Sequence, residues 1–384
     1  MTNFSRGFAL KCALAALAAA LAGCGPSDGS KDCREGIAAY EAHDLKKAER
    51  SLEKGLRLAP GNVDALVTLA QVKLDLGELA AATAAIERAG QLAPEDIDVR
   101  LLAAQIAWHS KDYDRAASLF SAIAADGALS PELRSQGFAG LGVVEVTREN
   151  TDLARIAFMK AIRLDRRNAA AWYHLGFVYR DGMNYLDAAL EQFNVFVRLE
   201  EEASPRVQKT LYTVIPNLKA AIAEAASNLP GAANRDSAAA SSLIAKAEAA
   251  LKKGGAKNLK AALGSYQSAL KADALSYPAA LGLAKTWQKV DTTARGQQNA
   301  YDAYMRACKL NASAVSTYLA TGAMAMKLKR YAESAAVYSR ALAANPASLE
   351  AADGLIRALR KAGKANLASA YQQYRDMMSK PKRK

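Results

Sequence analysis

Along most of the chain, apolar side chains return every three or four residues, and short polar breaks separate one such stretch from the next. That spacing collects them on one face of a helix. The clearest stretch is 169–199, AAAWYHLGFVYRDGMNYLDAALEQFNVFVRL. Trp172, Leu175 and Tyr179 fall at i, i+3 and i+7, so they share a stripe. Gly176 sits beside the stripe and lets a second helix approach the backbone. Residues 181–184, DGMN, break the pattern, and Tyr185 opens a second helix with Ala189, Phe193, Phe196 and Leu199 at helical spacing. The pattern predicts a helix–turn–helix hairpin that cannot bury its apolar faces alone and needs neighbours on both sides.

The same hairpin recurs. Pro60 and Pro94 are 34 residues apart, as are the pairs Leu141-Gly142 and Leu175-Gly176. Second-helix stripes read Ala48, Leu52, Leu56 and Leu58, then Ala82, Ile86 and Ala89, then Ala116, Phe120 and Ile123, then Ala154, Phe158 and Ala161. The W-x2-L-G-x2-Y run from Trp172 to Tyr179 and the 34-residue interval resemble the tetratricopeptide repeat (TPR). Lys111-Asp112-Tyr113 resembles that family's Gly-Asp-Tyr turn, with Lys in place of Gly. An ordinary antiparallel bundle would not keep the interval. The expected fold is therefore all-α, a TPR-type α-solenoid of helix–turn–helix repeats, with two arrays joined by a linker.

Residues 1–11 carry Arg6 and Lys11 and no acid, and 12–23 are apolar. That run is shorter than the roughly 20 residues a helix needs to cross a bilayer and suits the centre of a secretory signal. Leu21-Ala22-Gly23-Cys24 follows and is similar to the lipobox of bacterial lipoproteins. The resemblance implies cleavage after residue 23 and a lipid on Cys24. Gly25 stands where Asp would imply retention at the inner membrane, so an outer-membrane anchor facing the periplasm is expected. The expected division is signal 1–23, tether 24–34, a first array of about five units over 35–203, a bridging helix and flexible linker over 204–242, a second array of about four units over 243–377, and a basic tail 378–384. In the bridge, Leu211, Ile215, Leu218 and Ile222 form a stripe that Pro216 should kink or split.

Charge separates the two halves. Residues 1–237 hold 27 Lys+Arg and 30 Asp+Glu, net −3, whereas 238–384 hold 24 and 8, net +16. Such a field draws acidic partners or anionic polymers and equally serves solubility. Nucleic acid is disfavoured because the lipobox directs the chain away from the cytoplasm. Cys33 and Cys308 are expected to be buried apolar residues, not a disulfide. His43, His109 and His174 lie in separate units with no second ligand at metal spacing. Glu200, Glu201 and Glu202 are consecutive, which scatters their carboxylates around a helix axis. No phosphate loop or nucleophile motif is present, so neither an enzyme nor a cofactor is expected.

What remains is binding. In the TPR family the first helix of each unit lines a groove. Counted from the Leu-Gly pairs, the resemblance places there Val67, Gln71 and Leu74, then Leu101, Gln105 and Trp108, then Ala139, Val143 and Val146, and in the fifth unit Tyr173, Phe177 and Arg180. The family's carboxylate clamp uses Lys and Asn at these positions, and this chain has apolar, aromatic and Gln side chains instead. The groove is expected to accept an extended or helical apolar segment. The competing reading of Trp108, Tyr173 and Phe177 is packing between repeats. The function these features imply is a lipid-anchored scaffold for protein partners in an envelope assembly, or alternatively a binder of anionic cell-wall polymer through the basic second array.

Overall fold

A computed structural model describes residues 29–379 apart from 230 and 234. The expected signal, the lipobox with Cys24 and residues 380–384 of the basic tail lie outside the described residues. The described chain is all-α, built of consecutive helix–turn–helix units. Among the described residues there is no strand, only an isolated bridge between Arg235 and Asp273. No described helix is long and apolar enough to cross a membrane.

Four helical pairs lead the chain: α1 (Ser30–Glu41) with α2 (Leu45–Leu58), α3 (Val63–Asp75) with α4 (Leu79–Leu92), α5 (Ile97–His109) with α6 (Tyr113–Ala125), and α7 (Pro131–Thr147) followed by α8 (Thr151–Leu164). α9 (Ala169–Phe177) runs into a π-helical turn, Val178–Gly182, before α10 (Leu186–Leu199). A bridging segment follows: α11 (Pro205–Lys209), a second π-helical turn (Thr210–Val214) and α12 (Ile215–Ser227). Four more hairpins close the chain: α13 (Ser237–Lys253) with α14 (Gly255–Ala272), α15 (Tyr277–Val290) with α16 (Ala294–Leu310), α17 (Val315–Lys327) with α18 (Tyr331–Ala344), and α19 (Leu349–Lys361) with α20 (Ala365–Ser379).

One turn geometry recurs inside the hairpins. His43, Gly77, Lys111, Glu149, Lys329 and Gly363 each adopt a left-handed backbone, with φ between 58° and 81°. At the first of these, His43 N–H donates to the Tyr40 carbonyl and Asp44 N–H to the Ala39 carbonyl. Gly77, Lys111, Glu149, Lys329 and Gly363 repeat the same pair of bonds, which satisfies carbonyls the helix end would leave open. The next residue then starts the second helix. Asp44 and Asp112 accept from the Lys47 and Arg115 N–H groups, a cap worth about 1 kcal/mol. Lys111 thus holds the glycine-type conformation that the Lys-Asp-Tyr turn implied.

The predicted stripes are the core. Ala48, Leu52, Leu56, Ala82, Ile86, Ala89, Phe120 and Ile123 are buried, as are Phe158, Phe193 and Phe196. Leu58 and Leu199 are not: at 53% and 38% exposure they lie on the last turns of α2 and α10, beyond the reach of the next helix. At Gly176 a Cβ would lie 2.8 Å from the Phe193 ring, so the close approach expected there is real.

Packing divides the chain into two compact units, one of residues up to Asn150 with Leu164–Ala170, the other of Thr151–Arg163 with Ala171 onward. In the first, each of α1 to α6 packs on the next helix, and α1, α3, α5 and α7 also pack one on the next. In the second, α13 to α20 follow the same rule of neighbours, and α10 packs on α12. The stretch 204–242, expected to join two arrays, lies within the second unit. Two segments differ from expectation at their ends. Helix α1 begins at Ser30, inside the predicted tether, and α13 begins at Ser237, inside the predicted flexible linker, with the Asp236 carboxylate capping it through Ala239 N–H. Pro216 does not break the bridging helix. The Ile215 N–H reaches back to the Thr210 carbonyl, one residue further than in an α-helix, and the chain passes the proline by this change of winding.

The second unit also buries a charge. Arg155 on α8 is fully buried, with its guanidinium donating to the Tyr371 hydroxyl of α20 and to both the carbonyl and the hydroxyl of Ser339 on α18. The Tyr371 hydroxyl in turn donates to Asp152 at 2.9 Å, and Asp152 lies 3.7 Å from the guanidinium. Tyr185 donates to Ser339 and lies under the Arg340 guanidinium. Every Arg155 nitrogen therefore has an acceptor, the condition under which a buried cation is tolerated.

Candidate functional site

The residues expected to line a groove fall into two sets, one in each unit. In the first unit, Gln71 on α3, Leu101, Gln105 and Trp108 on α5, and Val143 on α7 lie on consecutively packed helices and stay half-buried. Gln71 donates to Asp75, which also receives the Tyr40 hydroxyl. The Trp108 indole N–H donates to Thr147, across from α5 to α7, and its ring lies edge-on to His109. Leu74 is half-buried, and Val146 is 46% exposed. Two expected members are not available to a partner. Val67 and Ala139 are 3% and 1% exposed, because the neighbouring helices close over their side of α3 and α7.

In the second unit, Tyr173, Phe177 and Arg180 come together. The Tyr173 ring lies 4.9 Å from that of Phe177 and 4.8 Å from that of Phe196, and Phe177 is edge-on to Phe193 at 5.0 Å. Both rings remain half-buried, so they pack between helices and still present an edge. Arg180 stacks on Phe177 at 4.6 Å and pairs with Asp181 at 2.5 and 2.8 Å. That hydrogen bond raises the guanidinium pKa further above its ordinary value. Arg206 covers the other side, over Tyr173 and Phe196, and is paired to Glu200 at 2.8 Å. Of the acidic trio, Glu200 is thus committed to an ion pair while Glu201 and Glu202 are solvated.

Beside Phe177 opens a cavity of about 290 Å³. Its apolar floor is Phe177, Leu186, Val214, Leu218 and Ala221, and its polar wall is Arg180, Lys209, Thr213 and Asn217. Six of these nine lining residues come from the bridging segment, whose residues the sequence placed on a helix but not at a site. Of the expected stripe, Ile215 and Leu218 are buried while Leu211 and Ile222 are only half-buried, and the π-helical turn brings Val207, Thr210 and Val214 into the buried face beside them. Pro216 inside a helical stripe was the signal for that change of winding.

Little else has the makings of chemistry. Among the described residues no group of three or more His, Cys, Asp or Glu could hold a metal ion. Cys33 and Cys308 are free and buried, and burial pushes the Cys308 thiol up to about 11. His43 is exposed in its turn. His174 stacks on Phe158 at 5.6 Å and meets Tyr173 edge-on; burial first, and the Arg206 charge second, push its pKa down to about 4. A neutral imidazole packed on rings is a structural part of the repeat, as is His109, whose pKa burial also lowers.

Comparison with known proteins bears on this framework. Residues 39–106 match the tetratricopeptide repeat family. With the helical-hairpin architecture, the match supports a TPR-repeat protein. The span covers α2 to most of α5 and contains the left-handed turns at His43 and Gly77, 34 residues apart. No curated protein matches the sequence. Similar solved structures include one from a functional characterisation of Pseudomonas aeruginosa pilF, at 19% identity over 53% of this chain and 93% of that one, with a TM-score of 0.41. MamA from Desulfovibrio magneticus RS-1 is 18% identical over 47% of this chain and 99% of its own, with a TM-score of 0.39. The Cut9–Hcn1 hetero-tetramer of the APC/C matches over 95% of this chain and 80% of its own at 15% identity, with a TM-score of 0.39.

Proposed function

We propose that the protein is a lipid-anchored scaffold of the bacterial envelope that holds protein partners on its repeats. Such repeats mediate protein binding, and the observation that carries the reading is the row of half-buried side chains presented by consecutive helices, Gln71, Leu101, Gln105, Trp108 and Val143. A repeat framework with apolar and aromatic positions left open on neighbouring helices suits a peptide segment laid across them. The lipobox-like Leu21-Ala22-Gly23-Cys24 supports the anchor, and Gly25 favours the outer membrane. Affinity capture from envelope extracts with the full chain tests the role. Specific retention of a protein, lost when Trp108 and Gln105 are both changed to Ala, is expected; no specific retention would remove the scaffold reading. Cys24→Ala should release the protein from membranes and abolish lipid labelling.

A second reading has its own support. Lys252, Lys253, Lys257 and Lys260 are exposed around the turn from α13 to α14 and form no ion pair among the described residues. Four clustered cations favour an anionic polymer such as acidic cell-wall glycan. Sedimentation with isolated cell-wall polymer that disappears at high salt would favour it, and salt-insensitive or absent sedimentation would exclude it.

A further inference from the structure

We propose that the cavity beside Phe177 is an anchor site for a partner segment that carries one large apolar side chain flanked by side-chain carboxylates. The proposal rests on the scaffold reading and gives that partner a chemistry. It places the site at the junction of the fifth hairpin and the bridging segment.

Size comes first. At about 290 Å³ the cavity lies at the lower limit of small-molecule pockets, which run from roughly 300 to 1,000 Å³. It suits a single aromatic or branched aliphatic side chain, the kind of buried anchor that dominates peptide affinity. Its floor of Phe177, Leu186, Val214 and Leu218 is apolar.

The second observation is backbone geometry. Among the described residues there are two π-helical segments, and both contribute to this one cavity: Arg180 comes from Val178–Gly182, and Thr213 and Val214 from Thr210–Val214. π-helical turns are rare, poorer in hydrogen-bond geometry than the α-helix, and concentrated at functional sites. Pro216 accounts for the second one. No proline follows the first, which swings Arg180 to the rim of the cavity, where it stacks on Phe177.

Charge selects the occupant. No acidic side chain lines the cavity. Lys209 is exposed and forms no ion pair among the described residues. Arg180 shares two of its nitrogens with Asp181, which fixes the plane of the guanidinium at the mouth. A carboxylate next to the buried side chain would meet Lys209 on one side and the edge of Arg180 on the other. Tyr212 adds a surface for the rest of the segment. At 71% it is the most exposed of the large hydrophobic residues described, and it precedes Thr213 of the cavity wall. An open tyrosine beside a pocket is the composition of an interface centre.

The test uses a dye-labelled peptide, Gly-Ser-Glu-Phe-Glu-Ser-Gly, acetylated and amidated so that only side-chain carboxylates are present. Fluorescence anisotropy with the full chain should show saturable binding that weakens as salt is raised. Replacing the peptide's phenylalanine by alanine, or its glutamates by lysines, should weaken binding by about tenfold or more. On the protein, Lys209→Glu and the cavity-filling Ala221→Trp should each do the same, with circular dichroism melts showing that both variants fold. No saturable binding by the wild-type chain, or equal binding by both variants, would overturn the proposal. Affinity capture separates this from the broader reading: partners still retained by the Ala221→Trp chain leave the scaffold role standing and remove this site, whereas failure of the wild-type chain to retain any partner removes the scaffold role first.

Discussion

Lys73 in the first unit and Arg155 in the second are both cations set among packed helices, yet they are held in different ways. Lys73 is 11% exposed at its side chain, and its ammonium meets Glu49, Glu53 and Glu78, all within 24 residues of sequence. The Glu49 hydrogen bond is the main reason its pKa is raised above the ordinary lysine value. Arg155 has no exposure, and its partners Ser339 and Tyr371 are 184 and 216 residues away. The first unit solves its electrostatics inside adjacent hairpins, as a stack of repeats can. The second depends on a contact that no local repeat rule supplies. The carboxylates around Lys73 are 25%, 46% and 49% exposed and can be rehydrated when the ammonium is lost, whereas a fully buried cation must keep all of its acceptors.

The sharpest way to break the contrast is Arg155→Ala. It empties a large buried site and leaves Ser339 and Tyr371 without their donor, so a loss of about 3–5 kcal/mol is expected in chemical denaturation. Lys73→Ala, by comparison, should cost about 1 kcal/mol. Next comes pH. The His174 pKa of about 4 lies below the value of 6.5 for an unperturbed imidazole, so the unfolded chain takes up the proton first as pH falls. Stability is full above pH 6.5 and declines toward pH 4, by at most about 3 kcal/mol. The decline should be shallower in His174→Gln, measured as the difference between the two pH–stability curves; parallel curves would remove His174 from the account. Tyr371→Phe deletes the hydroxyl shared by Arg155 and Asp152 and should cost about 2 kcal/mol. The smallest effect has the opposite sign. Lys111→Gly relieves a left-handed non-glycine residue and should stabilise the first unit by about 1 kcal/mol, whereas Gly77→Ala, one repeat earlier, should destabilise it by a similar amount.

What the sequence made legible was whatever repeats. The 34-residue interval marked the turns, the Lys111 turn was read from its Asp-Tyr neighbours, and the Ala-Phe-Phe and Ala-Leu-Leu stripes named the core. Side-chain direction was less secure. The Leu-Gly register put Val67 and Ala139 on an open face, but a helix packed on both neighbours closes part of that face. The π-helical turns shifted the register again in the bridging segment, so Lys209, Thr213 and Asn217 were not seen as a site. Arg155 was invisible for a different reason. It sits in an amphipathic stretch, ARIAFMKAIRL, that reads as an ordinary second helix, and its partners are hundreds of residues away. Periodicity describes neighbours and is silent about such contacts.

Native-state hydrogen exchange on the wild-type chain and Arg155→Ala tests most directly the claim that the two units are stabilised by different rules. Loss of amide protection confined to α8, α18 and α20, with α1 to α6 protected as before, is the predicted result. Unchanged protection in those three helices, or a uniform loss across both units, would contradict it.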